Sequence, residues 1–174
     1  MDLSLITQAA EERGFVHALL PTEELTFDPG IRAICETNVC RSYGSCWACP
    51  PAVGTLEECR ERALRYRFLL LFSKKYPLAD SFDWEGMAAA MRDFKREVDA
   101  FGLALKPLLS DCLLLSNEGC GRCKSCTYPS APCRFPDRLR PSIEGYGLNI
   151  GELAKKGGIP YTNGPETVTY FGGL

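Results

Sequence analysis

The spacing of apolar residues changes several times along the chain, and each change predicts an element. Phe68 to Ser73 is apolar at nearly every position, the pattern of a strand buried on both faces and central in its sheet. Further on, Trp84, Met87, Met91, Phe94, Val98, Phe101, Leu105 and Leu108 recur at alternating spacings of three and four, which is one face of a helix. Asp83 stands where an N-cap belongs. Gly102 and Pro107 weaken the last turns, so the helix is expected to stop or kink near Gly102. Its stripe reads as a core face, or as a seam that would make a homodimer.

Shorter elements carry their own boundary signals. Asp2 to Arg13 predicts a helix, and Phe15 to Leu20 a strand closed by Pro21. Thr55 lies three residues before Glu58, the spacing of a capping box, and Arg60, Arg62, Arg65 and Arg67 follow toward the C-terminal end, where the helix dipole favours them. Cys112 to Ser116 predicts a strand. Asn149 and Glu152 mark another capped helix, ending at Gly157 and Gly158, and Thr167 to Phe171 a last strand. The stretches from Asp28 to Val53 and from Gly119 to Pro136 read as irregular, and both are rich in cysteine.

Alternating helices and strands point to an α/β or α+β fold, a small mixed sheet flanked by helices, with cysteine loops at 31–59 and 119–136. The 174 residues suit a single metal-binding domain over 1–174, and 45% apolar residues give it a core without disulfides. No repeat of solenoid length is visible. Twenty basic against 22 acidic residues, a net charge of -2, argue against nucleic-acid binding by wholesale phosphate neutralisation. Met1 opens a polar segment with neither a basic start nor an apolar core, so no secretory leader is expected. The longest apolar run, Phe68 to Phe72, is far short of the about 20 residues that span a bilayer. A cytoplasmic protein with no membrane partner is therefore expected. In that compartment ten cysteines stay reduced, and close spacing then favours metal binding over cross-links.

The second loop reads Cys120-Gly-Arg-Cys123-Lys-Ser-Cys126, then Cys133-Arg-Phe-Pro136. Three thiolates at successive x2 gaps, with a fourth from further along, suit a cubane iron-sulfur cluster. Structural zinc prefers separated Cys-x2-Cys pairs that approach a tetrahedron from two sides. Zinc is the alternative, and inert buried thiols the third reading. Arg122, Lys124, Arg134, Arg138 and Arg140 surround the loop; cations of this kind offset thiolate charge, although Arg138 and Arg140 are expected to face water.

The first loop holds Cys35, Cys40, Cys46 and Cys49, with Cys59 just beyond it in the capped helix. Cys49-Pro50 resembles the Cys-Pro step that ends many iron-sulfur ligand runs and turns the chain away. Cys59 stands in the first turns of its helix, where the dipole favours a thiolate, while Cys46 has the x2 spacing to Cys49. Spacing alone does not choose four ligands from these five. Tyr43 and Trp47 are placed either to shield a cluster or to pack ordinarily.

Cys35-x4-Cys40, Tyr43-Gly44, Trp47-x-Cys49-Pro50-Pro51, Gly54-Thr55-Leu56-Glu57-Glu58-Cys59, the Cys120 to Cys126 run, Pro132-Cys133-Arg134-Phe135-Pro136 and Pro141-Ser142-x-Glu144-x-Tyr146-Gly147 together resemble a family of uncharacterised predicted metal-binding proteins common in anaerobic bacteria and archaea. The resemblance runs from Ile31 onward. It implies metal binding without a settled reaction. Cys46 departs from the family pattern, so the resemblance implies Cys35, Cys40, Cys49 and Cys59 as the first ligand set beside Cys120, Cys123, Cys126 and Cys133 as the second. Cys112 would then be a spare, buried strand residue.

Other chemistries find little support. A lone His17 excludes histidine-rich zinc catalysis and disfavours a Ser-His-Asp triad. There is no P-loop, and neither Gly119-x-Gly121 nor Gly145-x-Gly147 sits in a Rossmann turn. The chain also lacks the Cys-x3-Cys-x2-Cys run that radical S-adenosylmethionine enzymes resemble. The leading expectation is two [4Fe-4S] clusters passing single electrons to a redox partner protein. One alternative is an enzyme with an open iron on a three-thiolate cluster, with Tyr43, Glu36 and Glu144 as acid-base candidates; another is a zinc-stapled interaction module.

Overall fold

A computed structural model describes residues 3–109 and 111–174 of the chain. The apolar run does form the central strand: β2 (Phe68–Pro77) lies between β1 (Val16–Pro21) and β4 (Thr167–Gly173), and β3 (Leu115–Ser116) completes the order β1-β2-β4-β3. Alternate side chains of β2 serve opposite faces, as strand geometry requires. Leu69 and Leu71 enter one core, and Leu70 and Phe72 the other. Past Ser73 the strand emerges, and Lys74 to Pro77 continue it by pairing with Thr167 to Tyr170. All strand pairs are antiparallel where a mixed sheet was expected; the parallel pairing is an isolated bridge between Ser116 and Ser142. The class is α+β.

Helices cover both faces. On one side lie α1 (Leu3–Glu11) and the long α4 (Trp84–Leu105), with Phe94, Val98, Phe101 and Leu105 buried against Phe15 and Phe72. The stripe is thus a core face, although Trp84 and Leu108 at its ends are exposed. On the other side lie α3 (Leu56–Ala63) and α5 (Ile150–Gly157), with Cys59, Leu153 and Ala154 packed against Leu69, Leu71 and Phe171. The sheet needs both layers because none of its faces is polar enough to meet water. No helix among the described residues is long and apolar enough to cross a membrane.

Four expectations are corrected. The helix predicted from Asp2 to Arg13 ends at Glu11, and Asp2 lies outside the described residues. The long helix passes through Gly102 to Leu105 without a stop. A Cβ at Gly102 would stand 2.8 Å from a Leu114 methyl and 3.3 Å from the Arg140 guanidinium, so glycine is there for close packing rather than to end the helix. The stretch read as irregular from Asp28 begins with a helix, α2 (Pro29–Glu36), capped by Asp28, whose carboxylate accepts from Gly30 N at 2.7 Å, and with Pro29 in its first turn. The strand expected from Cys112 shrinks to two residues, and Cys112 is exposed.

Both capped helices form where expected. Thr55 Oγ1 accepts from Glu58 N at 3.2 Å while Glu58 Oε2 accepts from Thr55 N at 2.8 Å, a complete capping box. Asn149 accepts from Glu152 N at 3.2 Å, and Gly158, in the left-handed region at φ 65°, ends α5. Replacing Thr55 by alanine removes one of the reciprocal bonds at the helix that carries Cys59. The expected loss is about 1 kcal/mol, read as a lowered urea midpoint at unchanged slope.

Candidate metal centre

The two cysteine loops, far apart in sequence, are packed against each other. The second leaves the sheet at Ser116 and returns beside it: Ser116 N donates to Pro141 O at 3.0 Å and Ile143 N to Ser116 O at 3.0 Å. Its start is tied to α4 through Lys95 Nζ, which donates to Asn117 O at 2.9 Å, and through an Arg122–Asp99 ion pair. The first loop docks on it at several points. Ser142 N donates to Ala48 O at 2.8 Å. Trp47 Nε1 donates to Ala131 O at 3.1 Å, and its ring meets Tyr128 edge-on at 4.9 Å. Gly119 lies so close to Ser42 and Cys49 that a side chain there would collide with Ser42.

Five sulfurs line one small cavity of about 40 Å³: Cys120, Cys123, Cys126 and Cys133 from the second loop, and Cys46 from the first. The structure thus brings the four expected second-loop cysteines together and adds Cys46, which the resemblance had set aside; its x2 spacing to Cys49 was the available signal. Cys46 is buried, and its Sγ accepts from Ala48 N at 3.4 Å and Cys120 N at 3.5 Å. A hydrogen bond from the Cys49 thiol, above all, and then these backbone donors hold the Cys46 pKa well below the ordinary thiol value despite burial, while the same pairing pushes Cys49 up. Burial raises the Cys120 thiol. Trp47 borders the same cavity as well as joining the two loops. Of the surrounding cations, Arg134 is bound to Ser125 O at 2.9 Å, and Lys124 and Arg138 are exposed. Arg140 does not face water as expected; it is largely buried, 3.5 Å from Asp99.

A second, larger cavity of about 350 Å³ lies on the other side of the Cys46–Cys49 turn. Cys35 reaches it from the last turn of α2, Cys40 from the turn that follows, and Cys49 from the buried end of the loop. The turn is set by Asn38 and Arg41, both at positive φ, with Asn38 Oδ1 accepting from Tyr43 N at 3.0 Å. Tyr43, Ile31, Ile34, Val39 and Pro50 form the apolar walls, and Glu118 and Glu144 the polar ones. Burial, reinforced by Glu144 and Cys40, raises the Cys35 thiol, and burial likewise raises the Glu144 carboxyl. Glu36 is exposed on α2 and does not line this space.

Cys59 lines neither cavity. It is fully buried in the core layer with Val53, Tyr146 and Leu148. Its Sγ receives Arg62 Nη2 at 3.3 Å and Arg32 Nη1 at 3.9 Å, and it donates to Val53 O at 3.5 Å. Burial raises its pKa in spite of the two guanidinium groups. Cys112, expected to be buried, is instead exposed at the rim of a separate apolar cleft with Tyr66, Arg67 and Leu109.

No three His, Cys, Asp or Glu side chains among the described residues converge tightly enough to hold a single ion. Four sulfurs around zinc, each about 2.3 Å from it, stand only about 3.8 Å apart. The cysteines here surround two spaces rather than two points, and soft sulfur donors in such numbers suit thiophilic metals. Comparison with curated proteins and with solved structures gave no match. The model of one family, described as predicted metal-binding protein (DUF2284), matches residues 18–174. The cysteine-lined loops fall wholly inside the matched region, and the chain belongs to this family of predicted metal-binding proteins.

Proposed function

We propose that the chain binds two [4Fe-4S] clusters, one in each cysteine-lined cavity, and passes single electrons between a donor and an acceptor protein in the cytoplasm. The observation that carries the reading is the turn Cys46-Trp47-Ala48-Cys49: Cys46 lines one cavity and Cys49 the other. Two clusters on either side of it would be separated by little more than one turn of chain. The x2-x2 cysteine run and the cations about the second loop support a cluster over zinc there. Bound in these places, each cluster would take up and return one electron at a time.

The chain's own residues supply the rest. Trp47 and Tyr128 close the second loop against water, and Arg122 offsets negative charge beside Cys120 and Cys123. Ile34 and Val39 are apolar yet 62% and 84% exposed, at the rim of the larger cavity beside Cys40. That patch suits a redox partner's apolar contact surface.

One observation favours the enzymatic alternative. Three cysteines line the larger cavity and Cys59 does not, so a cluster there has a corner without cysteine sulfur, the open iron that this alternative needs. Purification without oxygen followed by iron, sulfide and zinc analysis tests the main reading. About eight iron and eight sulfide per chain are expected from two cubanes. Iron-free protein with stoichiometric zinc would end it.

A further inference from the structure

We infer that the carboxylate of Glu144, and not the thiolate of Cys59, is the fourth protein ligand of the centre held by Cys35, Cys40 and Cys49. The assignment rests on the proposal that this cavity holds an iron-sulfur cluster, and it adds a ligand that the spacing of cysteines does not reveal.

The cavity's lining is one-sided in charge. Its titratable side chains are Cys35, Cys40, Cys49, Tyr43, Glu118 and Glu144, and no Lys or Arg among the described residues lines it. Behind the wall stand two cations, Lys95 of α4, which Glu118, Glu144 and Cys49 attract, and Arg32, which acts on Cys35; inside it, sulfur and carboxylate oxygen are donors that suit a metal cation. Glu144 is held by backbone donors alone: Glu118 N donates to its Oε2 at a long 3.4 Å, its own N–H reaches the carboxylate, and it takes part in no ion pair among the described residues, Lys95 acting on it only from a distance. Its backbone is nevertheless fixed, on a short 3-10 turn (Glu144–Tyr146) between the buried Ile143 and Tyr146, with Gly145 N donating to Ser142 Oγ at 3.1 Å. A fixed backbone that sets a carboxylate free of ion pairs on the same wall as three thiols is the arrangement a ligand requires, and iron accepts carboxylate oxygen.

Cys59 has the opposite surroundings. Two guanidinium groups and two carbonyls, those of Val53 and Gly145, surround its sulfur within the core layer. Moving it to the cavity would strip both arginines of that contact and leave a void among Val53, Tyr146 and Leu148.

The test uses the full chain reconstituted with iron and sulfide without oxygen, then reduced and examined by electron paramagnetic resonance, with melting curves to confirm folding. Glu144→Gln should lose or shift one of two signals and leave the other. Glu144→Cys should keep the iron content with a changed signal, as sulfur replaces oxygen. Cys59→Ala, and Cys59→Ser in case the alanine variant does not fold, should give the unsubstituted spectrum. An unchanged Glu144→Gln spectrum, or a lost signal in a folded Cys59 variant, overturns the assignment. Absence of any cluster in the unsubstituted chain overturns the iron-sulfur reading and the assignment with it, and is told apart because it precedes every substitution.

Discussion

Replacing Cys123 by serine is expected to remove about half of the iron and sulfide bound by the chain, with one of two resonance signals lost and the other intact. Cys123 lines the small cavity with four other sulfurs and has no place on the larger one. Serine keeps the volume but is a poor ligand where soft sulfur is wanted. Because the second loop starts and finishes at β3, local loss of metal leaves the sheet ladder untouched. Cys112→Ser is the matched control: that thiol is exposed and lines neither cavity, so full metal content is expected. Retention of all iron by Cys123→Ser would remove the second loop from the account.

The largest effect on stability is expected from Phe101→Ala. Phe101 is fully buried, with ring centroids 5.6 Å from Phe15 and 5.3 Å from Phe72, so its loss opens a void between α4 and the central strand. Truncating such a ring costs about 3–5 kcal/mol, a large part of the about 5–15 kcal/mol that holds an ordinary domain folded. Urea denaturation should show a much lower midpoint. The same helix carries Lys95 and Asp99, which tether the second loop, so weakened packing should also speed release of metal to a chelator. A drop below 1 kcal/mol would mean that α4 is not packed as described.

What could be read from the sequence was decided by neighbours along the chain. The apolar run of β2, the period of α4 and the caps at Thr55, Asp83 and Asn149 are local properties, and all five stand where the residues place them. The helix α2 was legible too, since Asp28-Pro29 followed by Ile31, Ile34 and Cys35 carries both a cap and a helical spacing. It buries no residue fully, and the cysteine-rich stretch around it masked the pattern. Gly102 is different, because the close approach of Leu114 and Arg140 that calls for glycine comes from distant segments.

The cysteines divide in the same way. Spacing sufficed to group Cys120, Cys123, Cys126 and Cys133, which one loop delivers to one cavity. For the first loop it could not, because a single turn sends Cys46 and Cys49 to opposite sides and the second loop completes the wall between them. The place of Cys59 in its helix suggested a thiolate. The arginines and the core that hold it there belong to tertiary packing, which no local pattern announces.

Crystals grown without oxygen and measured at the iron absorption edge would test the central claim most directly. The account predicts two separate iron peaks, one on each side of the Cys46–Cys49 turn. A single peak, zinc in place of iron, or those sulfurs bonded to one another would contradict it.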